Sequence, residues 1–232
     1  GGIGTGTGTP QGDLTFNKYN FSTTLNYRNK NVNYFGNYSY RRGNNWNFGD
    51  FYRRNILGDT TTYFRQDLDN INLSHNHLGK FGADISFTKN DFLSIASTLS
   101  KSNSTQDQIM FYRSLNANEI VQAISSRATD AATNNFNLDA AANYKHTFAQ
   151  SKREWSADVY YSTSAEDNNS AYILQNYDLQ QQAIGSTGTQ TSNTQTNSYV
   201  LTTQTDYVLP LKKMHKLEMG YKGVYRNISN DF

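Results

Sequence analysis

Strict alternation governs the first patterned stretch of the chain. Tyr19, Phe21, Thr23, Leu25 and Tyr27 fall on one face of an extended segment, and Lys18, Asn20, Ser22, Thr24 and Asn26 on the other. Period two over this length points to a long strand with two chemically different faces. After a tight turn at Asn29-Lys30-Asn31 the pattern resumes, with Val32, Tyr34, Gly36, Tyr38 and Tyr40 against Asn33, Asn37, Ser39 and Arg41, and Phe35 as the exception. The stretch predicts a hairpin.

The unit recurs three times. Phe81, Ala83, Ile85 and Phe87 alternate with Lys80, Gly82, Asp84, Ser86 and Thr88, and Lys89-Asn90-Asp91 then leads into Leu93, Ile95 and Leu99. Phe136, Leu138, Ala140, Ala142, Tyr144 and Phe148 precede a polar turn around Gln150 and Arg153, followed by Trp155, Ala157, Val159 and Tyr161. Tyr199, Leu201, Thr203, Thr205, Tyr207 and Leu209 precede a turn from Pro210 to His215, then Leu217, Met219, Tyr221 and Tyr225. Four hairpins, hence eight strands, repeat with a period of roughly sixty residues. Between them run polar stretches at 43–70, 102–133 and 164–196, expected to be long loops.

Composition decides what these strands sit in. Only 36% of the 232 residues are hydrophobic and 17% are charged, with a net charge of +2, yet 14% are aromatic, including 17 Tyr and 13 Phe. Low charge with many aromatics argues against disorder. Two prolines and no cysteine exclude collagen-like, disulfide-framework and thiol chemistry. A mean hydropathy of -0.76 looks soluble, but a transmembrane β-barrel averages a lipid-facing and a lumen-facing residue at each step and reads as polar. Short turns at one end, long connections at the other and strands near the nine to eleven residues of a tilted bilayer crossing all favour that barrel over a sandwich. Tyr27, Tyr34, Phe87, Phe148, Trp155 and Tyr207 near the short turns, and Tyr19, Tyr40, Trp46, Tyr161, Tyr199 and Tyr225 toward the other ends, would form its two aromatic girdles. The fold class is therefore all-β, a partial antiparallel transmembrane β-barrel of about eight to nine strands with short periplasmic turns and long extracellular loops. Phe232 falls out of phase with Leu217, Met219, Tyr221 and Tyr225, which speaks against an eight-stranded barrel closed on a terminal aromatic.

Residues 21–42 (FSTTLNYRNKNVNYFGNYSYRR), 142–162 (ANYKHTFAQSKREWSADVYYS) and 205–226 (TDYVLPLKKMHKLEMGYKGVYR) resemble the barrel of TonB-dependent receptors of the Bacteroidetes type, the outer-membrane β-barrel family. The resemblance implies a cell outer membrane location in a Gram-negative organism. It also implies a large barrel of about 22 strands around a plug, of which 1–232 would be one partial barrel domain. Residues 1–12 would be the end of the first strand and its loop, with the plug domain lying outside the sequence. The implied role is import of a scarce or bulky ligand such as a siderophore, glycan or peptide. The implied partners are outer-membrane lipid, a TonB-type energy-coupling protein acting through the plug and a surface lipoprotein. Alternatives are a surface adhesin or structural β-rich outer-membrane protein, and an outer-membrane enzyme.

Candidate chemistry is sparse. His75 and His77 would share a strand face, but no third metal ligand is evident nearby. Asp67 with Asp69, and Glu166 with Asp167, are paired carboxylates without the apolar surroundings that split pKa values. GGIGTGTG near the start lacks phosphate-loop spacing, and no GxSxG occurs. No catalytic, cofactor or metal site is expected, and the chain is read as a non-enzyme. The net charge gives little drive for nucleic acid, which is not expected as a partner. Asn116 to Thr129 (NANEIVQAISSRAT) has helical spacing at Ile120, Val121 and Ile124 with Asn118 as a cap, predicting a short loop helix. Arg41, Arg42, Arg53, Arg54 and Arg113, with Trp46, Phe48, Phe51, Tyr52 and Tyr112, populate the first two long connections and are the candidate ligand contacts.

Overall fold

The computed structural model describes residues 18–149, 153–211 and 215–232. They form one antiparallel sheet of eight strands in chain order: β1 (Tyr19–Asn29), β2 (Val32–Leu57), β3 (Thr60–Ser86), β4 (Asp91–Leu115), β5 (Val121–Thr147), β6 (Glu154–Tyr177), β7 (Ala183–Pro210) and β8 (Lys216–Asp231). Each strand pairs with its sequence neighbours, and β1 does not pair with β8, so the described sheet is open. Residues 1–12, expected to hold the end of an earlier strand, lie outside the described residues.

Register carries the alternation from strand to strand. Val32 stands opposite Ile85, Ile85 opposite Leu93, Leu93 opposite Tyr144, Tyr144 opposite Ala157, Ala157 opposite Thr205 and Thr205 opposite Tyr221. Every apolar set identified in the sequence thereby lands on one face. Lys80, Asp84, Asp139, Lys145, Glu154, Asp158, Asp206, Lys216, Glu218, Lys222 and Arg226 occupy the opposite phase, as expected of a lumen face. There they meet polar partners: Ser94 donates to Asp84 at 2.8 Å, Asn143 to Asp158 at 2.7 Å, and Lys145 lies 2.9 Å from Glu154.

The apolar face has no protein behind it. Among the described residues Ile124, at 8% exposure, is the one buried hydrophobe, while Leu25, Phe81, Ile95, Val159, Met219 and Tyr221 remain exposed. A soluble domain of this size would enclose an apolar core, whereas a bilayer supplies that environment from outside. Aromatic pairs sit at both limits of the apolar band. Tyr27 and Tyr34, Tyr144 and Trp155, and Phe148 and Tyr207 lie near the short turns, with centroids 6.4, 5.5 and 6.3 Å apart. Tyr19 with Tyr40 and Tyr199 with Tyr225 mark the other limit, at 5.9 and 5.7 Å.

Both ends of the sheet are staggered. The last rungs before the short turns are Asn29–Val32, Ser86–Phe92, Thr147–Glu154 and Pro210–Lys216, each further out than the last when measured from the row through Val32 and Tyr221. The opposite tips recede in step, by about one residue per strand, which for strands ~4.8 Å apart corresponds to a tilt of roughly 35°.

The expected long connections are instead the upper halves of the same strands. Residues 43–70, 102–133 and 164–196 continue the ladder to tight turns around Gly58, Glu119 and Gln181. Above the membrane neither face has to be apolar, so alternation disappears while hydrogen bonding continues. The helix expected over 116–129 is a turn followed by β5. Asn116 Oδ1 accepts the backbone N–H of Asn118 and Ile120, both at 3.0 Å, and Asp178 repeats the device for Gln180 and Gln182 at 3.0 and 2.7 Å. A side-chain carbonyl that can cap a helix can equally close an Asx turn, and pairing of Val121 onward with β4 selects the strand.

Phe35, the residue out of pattern, is explained by its partner. It stands opposite Gly82, and a Cβ on Gly82 would lie 2.2 Å from Phe35 Cζ and 2.7 Å from the Ile95 carbonyl oxygen. On the other face Gly36 stands opposite Phe81, whose ring lies 3.5 Å from the corresponding position. Two glycines thus each carry the ring of the strand next door.

Two expectations follow. Gly82→Ala in the full-length barrel displaces the Phe35 ring and lowers stability by about 1–3 kcal/mol, whereas Gly58→Asn at the exposed turn, φ 57°, is near neutral; heat-modifiable gel migration against temperature measures both. At the β3–β4 turn the Asp91 carboxylate accepts one hydrogen bond from Thr88, lies 2.6 Å from His146 Nδ1 and accepts from Tyr144 at 2.7 Å, which lowers its pKa to about 2. A depressed carboxyl stabilises the fold above its unfolded pKa and loses that contribution as pH falls through its folded value. The gap in unfolding temperature between wild type and Asp91→Asn therefore shrinks as pH falls from about 4 toward 2.

Candidate ligand-contacting surface

Register divides the ten candidate contacts between the two faces. Arg41, Phe51, Arg53 and Tyr112 have the phase of the polar, inward face, whereas Arg42, Trp46, Phe48, Tyr52, Arg54 and Arg113 have that of the lipid-side face. All ten lie on β2 or β4 and none in a loop. Arg41 and Arg42 sit at the upper limit of the apolar band, and the other eight stand above it.

On the inward face, long residues from four strands adjoin those candidates. Phe51 pairs with Gln66 and Gln66 with Tyr112, one rung row below Arg53 and Phe64. Phe64 and Tyr112 stack with centroids 5.8 Å apart, and the Arg53 guanidinium lies 5.6 Å from the Phe64 ring centre. Gln66 donates to Met110 Sδ at 3.5 Å. Below them Leu68, Met110, Arg127 and Leu174 form one row, and Arg127 lies 4.2 Å over the ring of Tyr172. Two guanidinium groups among stacked rings and a thioether make an amphipathic surface of the kind that binds polar ligands with apolar parts.

Phe64, Met110, Arg127 and Tyr172 were missed in the sequence because they lie in the stretches where regular alternation breaks down. Only the pairing of strands far apart in the chain makes them neighbours. A depression of about 640 Å³ crosses β4 to β7 lower down, but its lining of Gln106, Ala131, Ser170 and Ser192 with Asp107 and Asp130 holds no aromatic and no basic group. The arginine–aromatic surface above it is therefore the stronger candidate for ligand contact.

The lipid-side phase above the band is a charge lattice. Asp50 stands opposite Asp67, and Arg65 opposite Arg113, so like charges face each other along the rungs. The diagonals resolve this: Arg65 pairs with Asp50 and, at 3.6 Å, with Asp67, and Arg113 pairs with Asp67. Asp69 accepts the Trp46 indole N–H. Tyr52 stacks on Tyr63 with centroids 5.5 Å apart, and local desolvation followed by the Glu119 charge raises its phenol pKa. His75 and His77 do share a strand face, and each ring Nδ1 lies 2.8 Å from a tyrosine hydroxyl, Tyr40 and Tyr38 respectively. The described residues contain no group of three or more potential metal ligands.

Asp67→Asn leaves Arg65 and Arg113 facing each other with less compensation. The expected result is faster amide hydrogen exchange around residues 60–69 and 109–115, with rates unchanged near the short turns.

Residues 146–232 match the model of the outer membrane protein beta-barrel family. No curated protein sequence matches the chain. Among solved structures, one described as the RagAB peptide importer in the 'open-open' state is similar over 92% of this chain and 31% of that chain, at 8% identity and a TM-score of 0.38. From the family match, the two-faced register and the exposed apolar band together, the chain is part of the wall of an antiparallel β-barrel in the cell outer membrane.

Proposed function

We propose that this wall belongs to a TonB-dependent outer-membrane receptor that imports a scarce or bulky ligand: a siderophore, glycan or peptide. The observation that carries the reading is the inward surface of Phe51, Arg53, Phe64, Tyr112, Arg127 and Tyr172, raised on rigid strands above a polar, hydrogen-bonded lumen face. A wall that only held a membrane together has no need of guanidinium groups stacked on rings at its mouth. The chain contributes wall and ligand contacts without catalysis. Energy coupling through a plug to a TonB-type protein, and delivery by a surface lipoprotein, complete the proposed cycle.

The test uses the full-length gene product in its own outer membrane. Uptake is measured for a panel of ferric siderophores, oligosaccharides and peptides, with and without collapse of the inner-membrane proton gradient. The expected result is gradient-dependent uptake of one class that falls about tenfold or more in an Arg53→Ala, Arg127→Ala double variant at equal membrane abundance. Arg54→Ala, next in sequence but on the other face, leaves uptake unchanged. Gradient-independent passage of every panel member according to size would overturn the receptor reading in favour of a passive pore.

A further inference from the structure

Basic residues within the membrane band are strongly sorted by face. Lys18, Arg28, Arg41, Lys80, Lys145, Lys216, Lys222 and Arg226 have the inward phase. On the lipid-side phase His146 is paired with Asp91 at the short-turn rim, and Arg42, His75, His77 and Lys101 lie together on three adjacent strands. Tyr40, His77 and Lys101 form one row across β2, β3 and β4; Arg42, His75 and Asn103 form the next. With strands ~4.8 Å apart and alternate residues ~7 Å apart, the four Cα atoms fit in a patch roughly 12 Å across.

Their height is common as well. Each lies about nine to eleven residues from the short-turn end of its strand, the length of a tilted bilayer crossing. That is the level of the Tyr19–Tyr40 aromatic pair at the extracellular limit of the band. A lysine or arginine facing lipid at midplane costs about 2–4 kcal/mol, and close to none at the interface, so the patch sits at the leaflet's headgroups.

Among the described residues no acidic group pairs with it. Arg42 and Lys101 form no ion pair among the described residues, and Arg42 Nε is enclosed without a hydrogen-bond acceptor. The Arg42 guanidinium lies 5.8 Å from the Tyr19 ring centre. The Tyr40 and Tyr38 hydroxyls lie 2.8 Å from Nδ1 of His75 and His77, so Nε2 is the nitrogen each ring has left to offer, as a donor where it carries a proton. The same level on later strands carries Phe136, Ala165, Tyr199 and Tyr225, without charge.

We infer that Arg42, His75, His77 and Lys101 form a binding site on the barrel's outer surface for the phosphate of an anionic lipid headgroup in the extracellular leaflet. The occupant is a membrane lipid because the donors face the bilayer at headgroup depth, where a phosphate arrives attached to acyl chains that pack on the apolar band below. Guanidinium, ammonium and imidazole N–H groups suit the oxygens of a phosphomonoester.

The test reconstitutes the full-length barrel in nanodiscs containing phosphatidylcholine and a minor fraction of bisphosphorylated lipid A, and counts retained lipid A by native mass spectrometry. Wild type should retain lipid A, and should retain enzymatically dephosphorylated lipid A at least about tenfold less. Arg42→Gln with Lys101→Gln should reduce retention to a similar degree, whereas Arg41→Gln with Lys80→Gln, the same charge change on the inward face, should not. Heat-modifiable migration verifies that each variant is folded, and the two-lipid comparison needs no variant. Equal retention of both lipids, or equal loss in the two double variants, would overturn the site. Displacement of lipid A by millimolar inorganic phosphate would reassign it to a soluble anion.

Discussion

Within a bilayer a backbone N–H or C=O has no water to turn to, so each must find its partner on the next strand. The rest of this structure follows from meeting that demand without a slip. The ladder runs from β1 to β8 with irregularities only at Ser114/Leu115 and Leu174/Asn176, both near the upper tips. A single extra residue inside the band would turn every side chain beyond it to the wrong face. Because none intervenes, Val32 and Tyr221, nearly the whole chain apart, lie in one row and face one medium.

That phase coherence lets the sheet do without a core. Its apolar residues are selected against lipid rather than against one another, which explains how a chain with 36% hydrophobic residues folds with Ile124 as its one buried hydrophobe among those described. The opposite face is free to be polar, and there Asp84, Asp158 and Glu154 find partners across neighbouring strands. Local exceptions have local causes. Phe35 breaks the pattern because Gly82 leaves its ring a place, and Asp91 lies in the apolar phase only where the strand has reached the short-turn rim.

Where lipid imposes the alternation, the amino-acid order is legible: the four short turns, the strand pairs flanking them and the two faces were all readable from residues 18–42, 80–99, 136–161 and 199–225. Legibility ends where lipid does. In 43–70, 102–133 and 164–196 both faces meet water, polar residues serve equally in strand or loop, and Asn116 caps a turn as readily as a helix. For the same reason the proposed ligand surface was half visible. Arg53 and Tyr112 stood out by type, but only register separates Arg53 from Arg54, and only pairing brings Phe64 and Arg127 to their neighbours.

The continuation of β2 to β7 well above the bilayer bears on how tightly such a mouth can hold what enters it. A flexible loop must be ordered by its ligand, at about 0.5–1.5 kcal/mol for each side chain immobilised. Phe64 and Tyr112, already stacked on a hydrogen-bonded ladder, have met that cost during folding. The surface is therefore preorganised: contacts made with a guest go more fully into affinity, and selectivity rests on shape and charge rather than on induced adjustment.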